Sequence, residues 1–223
     1  MIPAMSDVVK PSPSRRRYDA TRRQAAAAQT RQTIAVAARE LFITRGYAAT
    51  TMAAIAAAAG VAHDTVYATF GPKPALFRHV VEIALSGANE PIPALERSIY
   101  RDVQAEPDQG RILALMAHTI RLIHERLAPL FDVLSVAAQT DEELKAFADE
   151  LGARHVVHMR VFVEELAAKG GLRARLTHEM AADVIWVTTS SEFYLLCVRE
   201  RGWTPAVFES WLADTWKRLL LPE

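Results

Sequence analysis

One cysteine in 223 residues, Cys197, excludes an internal disulfide framework and fits a reducing compartment. No apolar run approaches the ~20 residues of a membrane-spanning helix, and residues 2–9 lack a basic start followed by an apolar block. The expected location is therefore the cytoplasm, with no membrane partner. No Gly-rich phosphate loop, no Gly-x-Ser-x-Gly elbow and no nucleophile–base arrangement appear, which leaves catalysis without a foundation. Even net charge is missing, at zero overall. Its distribution is uneven, however. Residues 1–80 hold eleven Lys and Arg against four Asp and Glu, a net +7, and residues 81–223 hold fifteen against twenty-two, a net −7. A basic head on an acidic body suits a protein of which only the head meets a polyanion.

The head reads as a helix-turn-helix. Ile34, Ala37, Ala38, Leu41 and Phe42 recur at three- and four-residue steps and form one stripe of a helix. Gly46 offers the positive φ that closes it. Thr50 or Thr51 then supplies a hydroxyl cap to a second helix, with Met52, Ile55, Ala56 and Ala59 on its inner side. Gly60-Val61 makes a sharp turn into a short third helix over 62–70. There Ala62, Val66 and Phe70 are expected to pack inward, while His63, Asp64, Tyr67 and Ala68 face out with Thr65 at the edge. Gly71 stops this helix, and Pro72 suits the first position of the next, placing Lys73 in its first turn.

These residues, from Thr33-Ile34 through the Gly60-Val61 turn and Thr65-Val66-Tyr67-x-x-Phe70 to Lys73 and Leu76-Phe77, resemble the DNA-binding domain of the TetR (tetracycline repressor) family of bacterial transcriptional regulators. The resemblance implies an all-α protein with an N-terminal helix-turn-helix domain and a C-terminal helical domain for ligand binding and dimerisation. It implies phosphate contacts from Thr51, Tyr67 and Lys73. Base reading is expected from His63, Asp64 and Thr65, with Thr69, and Thr50 is counted in the same DNA-facing set. Asp64 can accept from cytosine N4. Met52 stands where some members place a base-contacting cation, a departure from the pattern.

The expected domains are a disordered basic arm (1–20), the helix-turn-helix head (21–80) and a helical body (81–223). The arm's Arg15-Arg16-Arg17, followed by Arg22-Arg23, either lies along DNA or solubilises a tail. In the body, helices are expected at 72–85, 94–105, 109–127, 129–139, 141–169, 177–201 and 204–221, broken by Gly and Pro. The last helix carries an apolar stripe whose members Phe208, Trp211, Leu212 and Trp216 are expected to meet a second subunit, as the family's last two helices do. An effector pocket between middle helices is expected from Met116, Ile120, Phe131, His155, Met159, Phe162, Trp186 and Phe193. His124-Glu125 and His178-Glu179 lack the second histidine of a zinc-protease helix, and His155 and His158 have no accompanying ligands. Neither a metal nor another cofactor is expected. The function so implied is a homodimeric repressor bound to an inverted-repeat double-stranded DNA operator and released by a small, largely apolar effector. The alternatives are a regulator without a ligand, and a helical enzyme or carrier retaining an idle DNA-binding head.

Overall fold

The computed structural model describes the backbone of residues 13–222 and the side chains of residues 22–222. Among them the protein is all-α, with ten α-helices: α1 Pro13–Ala49, α2 Met52–Ala59, α3 His63–Phe70, α4 Lys73–Ser86, α5 Ser98–Ala105, α6 Gln109–Ala137, α7 Glu142–Gly170, α8 His178–Thr188, α9 Ser191–Leu195 and α10 Pro205–Leu220. The basic arm is revised from Pro13 onward, where α1 is already helical; residues 1–12, and the side chains of Arg15, Arg16 and Arg17, lie outside the described residues.

Two apolar cores are strung along α6. In the head, Ile34, Ala38 and Phe42 of α1 close on Ile55, Val66, Leu76 and Phe77, and the C-terminal half of α6 (Leu130, Leu134) and the start of α7 (Leu144, Phe147) join them. In the body, Ile112, Leu113 and Met116 of α6 pack on Phe162, Val163 and Leu166 of α7, Ile185 of α8 and Phe208, Leu212, Trp216 and Leu220 of α10. Thus α6 belongs to both units, and the expected boundary at residue 80 is crossed by packed side chains.

Local chemistry explains most of the helix ends. Gly46 has φ 78° and kinks α1 where the apolar stripe ends. Asp141 caps α7, Thr177 caps α8 and Thr204 caps α10, each accepting from backbone N–H groups of the first turn. Two expectations fail. Gln109–Ala137 is one helix running through Pro129, where two helices over 109–127 and 129–139 are expected. Removing one backbone bond inside a helix costs about 3 kcal/mol, but Leu127, Ala128, Leu130 and Leu134 around it are all buried, and that packing holds both halves in line. Conversely, the expected helix over 177–201 is split at Thr189–Ser190. Thr188 Oγ1 donates to the Val184 carbonyl (2.7 Å) and Thr189 Oγ1 to the Ile185 carbonyl (2.8 Å), while Ser190 Oγ accepts from the Phe193 N–H (3.1 Å). Consecutive hydroxyls offering the backbone local partners end one helix and cap the next.

Candidate nucleic-acid interface and effector cavity

α3 is eight residues long and lodged by its inner side, where Val66 and Phe70 are buried. Ala62, expected to pack inward, is instead exposed as the residue preceding the helix. His63, Asp64, Tyr67 and Ala68 all face solvent and Thr65 stands half-buried. The His63 and Tyr67 rings meet edge to face at 4.9 Å, and His63 Nδ1 lies 3.8 Å from the Asp64 carboxylate, so the outer surface of α3 is one contiguous polar patch. An exposed helix face of this kind, on a lodged helix two turns long, matches what a major groove admits.

The remaining DNA-facing expectations divide. Thr51 is exposed, and its side chain caps α2 by accepting from the Ala54 N–H at 3.1 Å. Thr50 is a correction: it is fully buried, and its hydroxyl lies 2.8 Å from the Gly46 carbonyl and 3.0 Å from that of Leu41, tying down the α1–α2 turn. Thr69 is half-buried and donates to the Thr65 carbonyl of its own helix (2.6 Å). Lys73 begins α4 as expected, but Nζ donates to the Tyr47 (3.0 Å) and Thr50 (3.2 Å) carbonyls and lies 4.1 Å from the centre of the Tyr47 ring. Burial lowers its pKa from the ordinary lysine value. Lys73 therefore locks α4 to the α1–α2 turn in the free protein. Met52 is buried in the head core.

Sequence reasoning missed Arg31. Its guanidinium donates to the Thr69 carbonyl (3.1 Å) and to His79 Nδ1 (3.2 Å), pairs with Glu90 (3.2 Å) and lies 4.4 Å from the Phe70 ring centre. It clamps the end of α3 to α1 and α4 through partners 38 and 48 residues away. No local pattern marks it.

The body encloses a cavity of about 710 Å³. Of the eight expected lining residues, Met116, Ile120, Phe131, His155, Met159 and Trp186 do line it. Phe162 and Phe193 do not: Phe162 is fully buried in the body core, and Phe193 packs on Phe208 and Trp211. The wall also includes residues that periodicity did not mark, among them Val81, Glu82 and Leu85 of α4, Arg97, Tyr100, His124, Arg154, His158 and Thr189.

Two histidines hold the α8–α9 break against this cavity. His124 Nε2 donates to the Thr189 carbonyl (3.0 Å), and His155 Nε2 lies 2.8 Å from Thr189 Oγ1. Burial pushes both imidazoles down to about 4, so each is neutral at pH 7. With Nε2 carrying the proton, His124 Nδ1 is a buried acceptor with no partner in the protein. Among the described residues no group of three His, Cys, Asp or Glu is placed to hold a metal ion, and no helix is long and apolar enough to cross a membrane.

The expected dimer stripe is corrected. Phe208, Leu212 and Trp216 are fully buried within the body's own core, and Trp216 Nε1 donates to Thr188 Oγ1 at 2.9 Å. Only Trp211 is partly open, and it packs against Trp203 and Phe193. The exposed apolar side chains of α8 and α10 are instead Met180, Trp186, Val187, Val207 and Leu219.

Residues 34–80 match the family model for bacterial regulatory proteins of the tetR family. The whole fold is similar to solved structures. NalD of Pseudomonas aeruginosa, the secondary repressor of the MexAB-OprM multidrug efflux pump, is 24% identical, with 86% of this chain and 96% of that one covered at a TM-score of 0.63. The fatty acid degradation regulator FadR of Bacillus halodurans is 17% identical over 83% and 93%, at 0.63. A Saccharomonospora viridis protein described as a transcriptional regulator, in complex with choline, is 13% identical over 87% and 99%, at 0.66. At these identities the likeness is one of fold. No curated protein matches the sequence significantly.

Proposed function

We propose that this chain, which carries the DNA-binding domain of the tetR family of bacterial regulatory proteins, is a homodimeric transcriptional repressor released from its operator by a small, largely apolar effector. One observation carries the reading: the cavity and the DNA-facing head share a helix. α4 begins at Lys73, which grips the α1–α2 turn, and two turns further on its Val81, Glu82 and Leu85 form part of the cavity wall. A ligand that fills the cavity acts on α4 directly, and α4 carries α3 through Gly71 and through the Arg31–His79 contact. A change in α4 alters the spacing of two α3 helices across a dimer, and successive major grooves are no longer matched.

In the complex with DNA, Tyr67 and Thr51 meet phosphates while His63, Asp64 and Thr65 read base edges. Lys73 reaches a phosphate only with the Nζ–H not held by Tyr47 and Thr50, and Thr69 takes part only through its remaining lone pair. The second subunit covers the apolar side chains left open on α8 and α10, chiefly Val187 and Val207. A largely apolar wall with a few buried polar groups suits a small-molecule site, and one similar structure holds choline. This favours an effector over a regulator without one and over an idle head. On this reading the protein acts as a regulator rather than as an enzyme.

Footprinting on the chain's own promoter tests the reading. Protection of an inverted repeat, with half-sites one or two helical turns apart, is expected. A footprint over a single non-palindromic half-site would overturn it. Sedimentation of Val187→Glu and Val207→Glu should show folded monomers, because both side chains face solvent in the single chain; dimers unchanged in both would move the interface elsewhere.

A further inference from the structure

The cavity's charges are unevenly answered. Glu82 is committed to Arg154 (2.6 Å), Asp149 pairs with Lys145 (3.2 Å), and Glu192 is exposed to solvent. Arg97 has no such counterpart. Its Nε donates to the Ile92 carbonyl (3.1 Å), which orders the Pro91–Ala94 segment over the cavity, and no carboxylate lies within ion-pairing distance of its guanidinium. The outer nitrogens, the pair that forms a two-pronged contact with a planar anion, are left without a protein partner.

Two neutral groups share that wall and have no hydrogen bond within the protein: the Tyr100 hydroxyl and the His158 imidazole. Both are close enough to Arg97 for its charge to act on them. Burial pushes the Tyr100 phenol up while Arg97 pulls it down, and burial, Arg97 and Arg154 together push the His158 imidazole down, leaving it neutral at pH 7. A half-buried cation with two idle, half-buried hydrogen-bonding neighbours is incompletely satisfied as it stands, and an anion answers all three at once. Beyond this cluster the wall is apolar, with Ile120, Ile123, Leu127 and Phe131.

We propose that the cavity takes an amphiphilic monoanion, its carboxylate on the Arg97 guanidinium beside Tyr100 and His158 and its apolar body along Ile120, Ile123, Leu127 and Phe131. The inference rests on the effector reading above and narrows it from an apolar effector to an apolar acid. A cation is disfavoured because the one carboxylate on the inner wall, Glu82, already has an arginine. A neutral apolar molecule would take water from the half-buried Arg97 without answering its charge.

Calorimetric titration of the full-length protein with matched probes tests this: dodecanoate against 1-dodecanol and dodecylamine below their aggregation concentrations, and 2-naphthoate against 2-naphthol. In at least one pair the acid should bind about tenfold or more tighter than the alcohol, and dodecylamine more weakly still. Arg97→Gln should abolish that preference while alcohol binding stays as in the wild type, showing an intact cavity. Because Arg97 also orders the Pro91–Ala94 segment, Tyr100→Phe serves as the second variant. It leaves that contact alone and should narrow the gap about threefold. Alcohols or the amine binding as tightly as the acids, or a preference unchanged in both variants, would overturn the assignment of the anion to Arg97. Nile red, a neutral dye, separates the two levels of failure. If the dye enters and the alcohols displace it without any acid preference, only the head-group inference falls. If neither dye nor any probe binds, the effector reading falls with it.

Discussion

In the head, Phe42 meets Tyr47 at 5.8 Å and Phe77 at 4.8 Å, a closed aromatic knot with almost no exposed surface. In the body, His124 of α6 and His155 of α7 stand at a cavity of about 710 Å³ and each bonds Thr189 at the end of α8. The two regions use buried groups for opposite ends. Filled apolar contacts have a single arrangement and hold α3 at a fixed angle. Directional bonds around a void admit another arrangement when something enters, because a ligand can replace a protein partner. The head is tightly filled and the body leaves room to rearrange, with α4 and α6 built into both.

The strongest break of this contrast is Trp216→Glu. It places a charge in the fully buried apolar core of the body and removes the bond to Thr188. A loss of more than about 4 kcal/mol is expected, seen in circular dichroism as loss of the helical signal at ambient temperature. A folded monomer would instead restore Trp216 to the dimer seam.

Truncating one phenylalanine in each region gives a direct ratio. Phe42→Ala should cost about 3–5 kcal/mol, whereas Phe131→Ala, on a wall that already faces space, should cost about 1 kcal/mol. Urea titration measures both; equal losses would mean that the body is as closely packed as the head.

Acid should loosen the body through its neutral histidines. His124 has its pKa lowered to about 4 in the folded protein against 6.5 in the unfolded chain. Above 6.5 neither state holds the proton and stability is full. As pH falls from 6.5 toward 4 the unfolded state takes up a proton that the folded state refuses, so stability declines, by about 3 kcal/mol at most for His124. His124→Gln should flatten that slope in denaturation midpoints recorded at successive pH values. An unchanged slope would assign the acid sensitivity to His155 or the head's own His79.

Lys73→Ala distinguishes two roles for one residue. If Nζ meets a phosphate, the slope of operator affinity against salt should fall by about one ion per head. If it serves only to lock α4 to the α1–α2 turn, thermal stability should fall and the salt slope should hold.

The smallest effect belongs to Tyr67→Phe, which removes an outward hydroxyl and nothing from the core. Operator affinity should weaken by about 1 kcal/mol with no change in melting temperature. A shifted melting temperature would mean that the phenol supports the fold.

What the sequence by itself determined is what short-range chemistry controls. Helix periodicity, the glycine that kinks α1 at Gly46, a threonine cap at Thr50 or Thr51, the caps at Asp141, Thr177 and Thr204, and the outward set His63, Asp64 and Tyr67 all follow from residues within a few positions of one another. The break at Thr189–Ser190 was written there too, as a run of four hydroxyl residues, but the apolar run around it masked the signal. Tertiary structure alone decided the rest. A buried apolar stripe and a dimer stripe look identical in one chain, because hydrophobicity says that a face must be covered and not by what; Phe208, Leu212 and Trp216 are covered by their own body. Likewise, whether an aromatic residue fills a core or lines a void depends on what stands opposite. That separates Phe131 from Phe162 and makes Arg97, unremarkable in sequence, a cation at a cavity wall with a carbonyl partner but no carboxylate in ion-pairing distance.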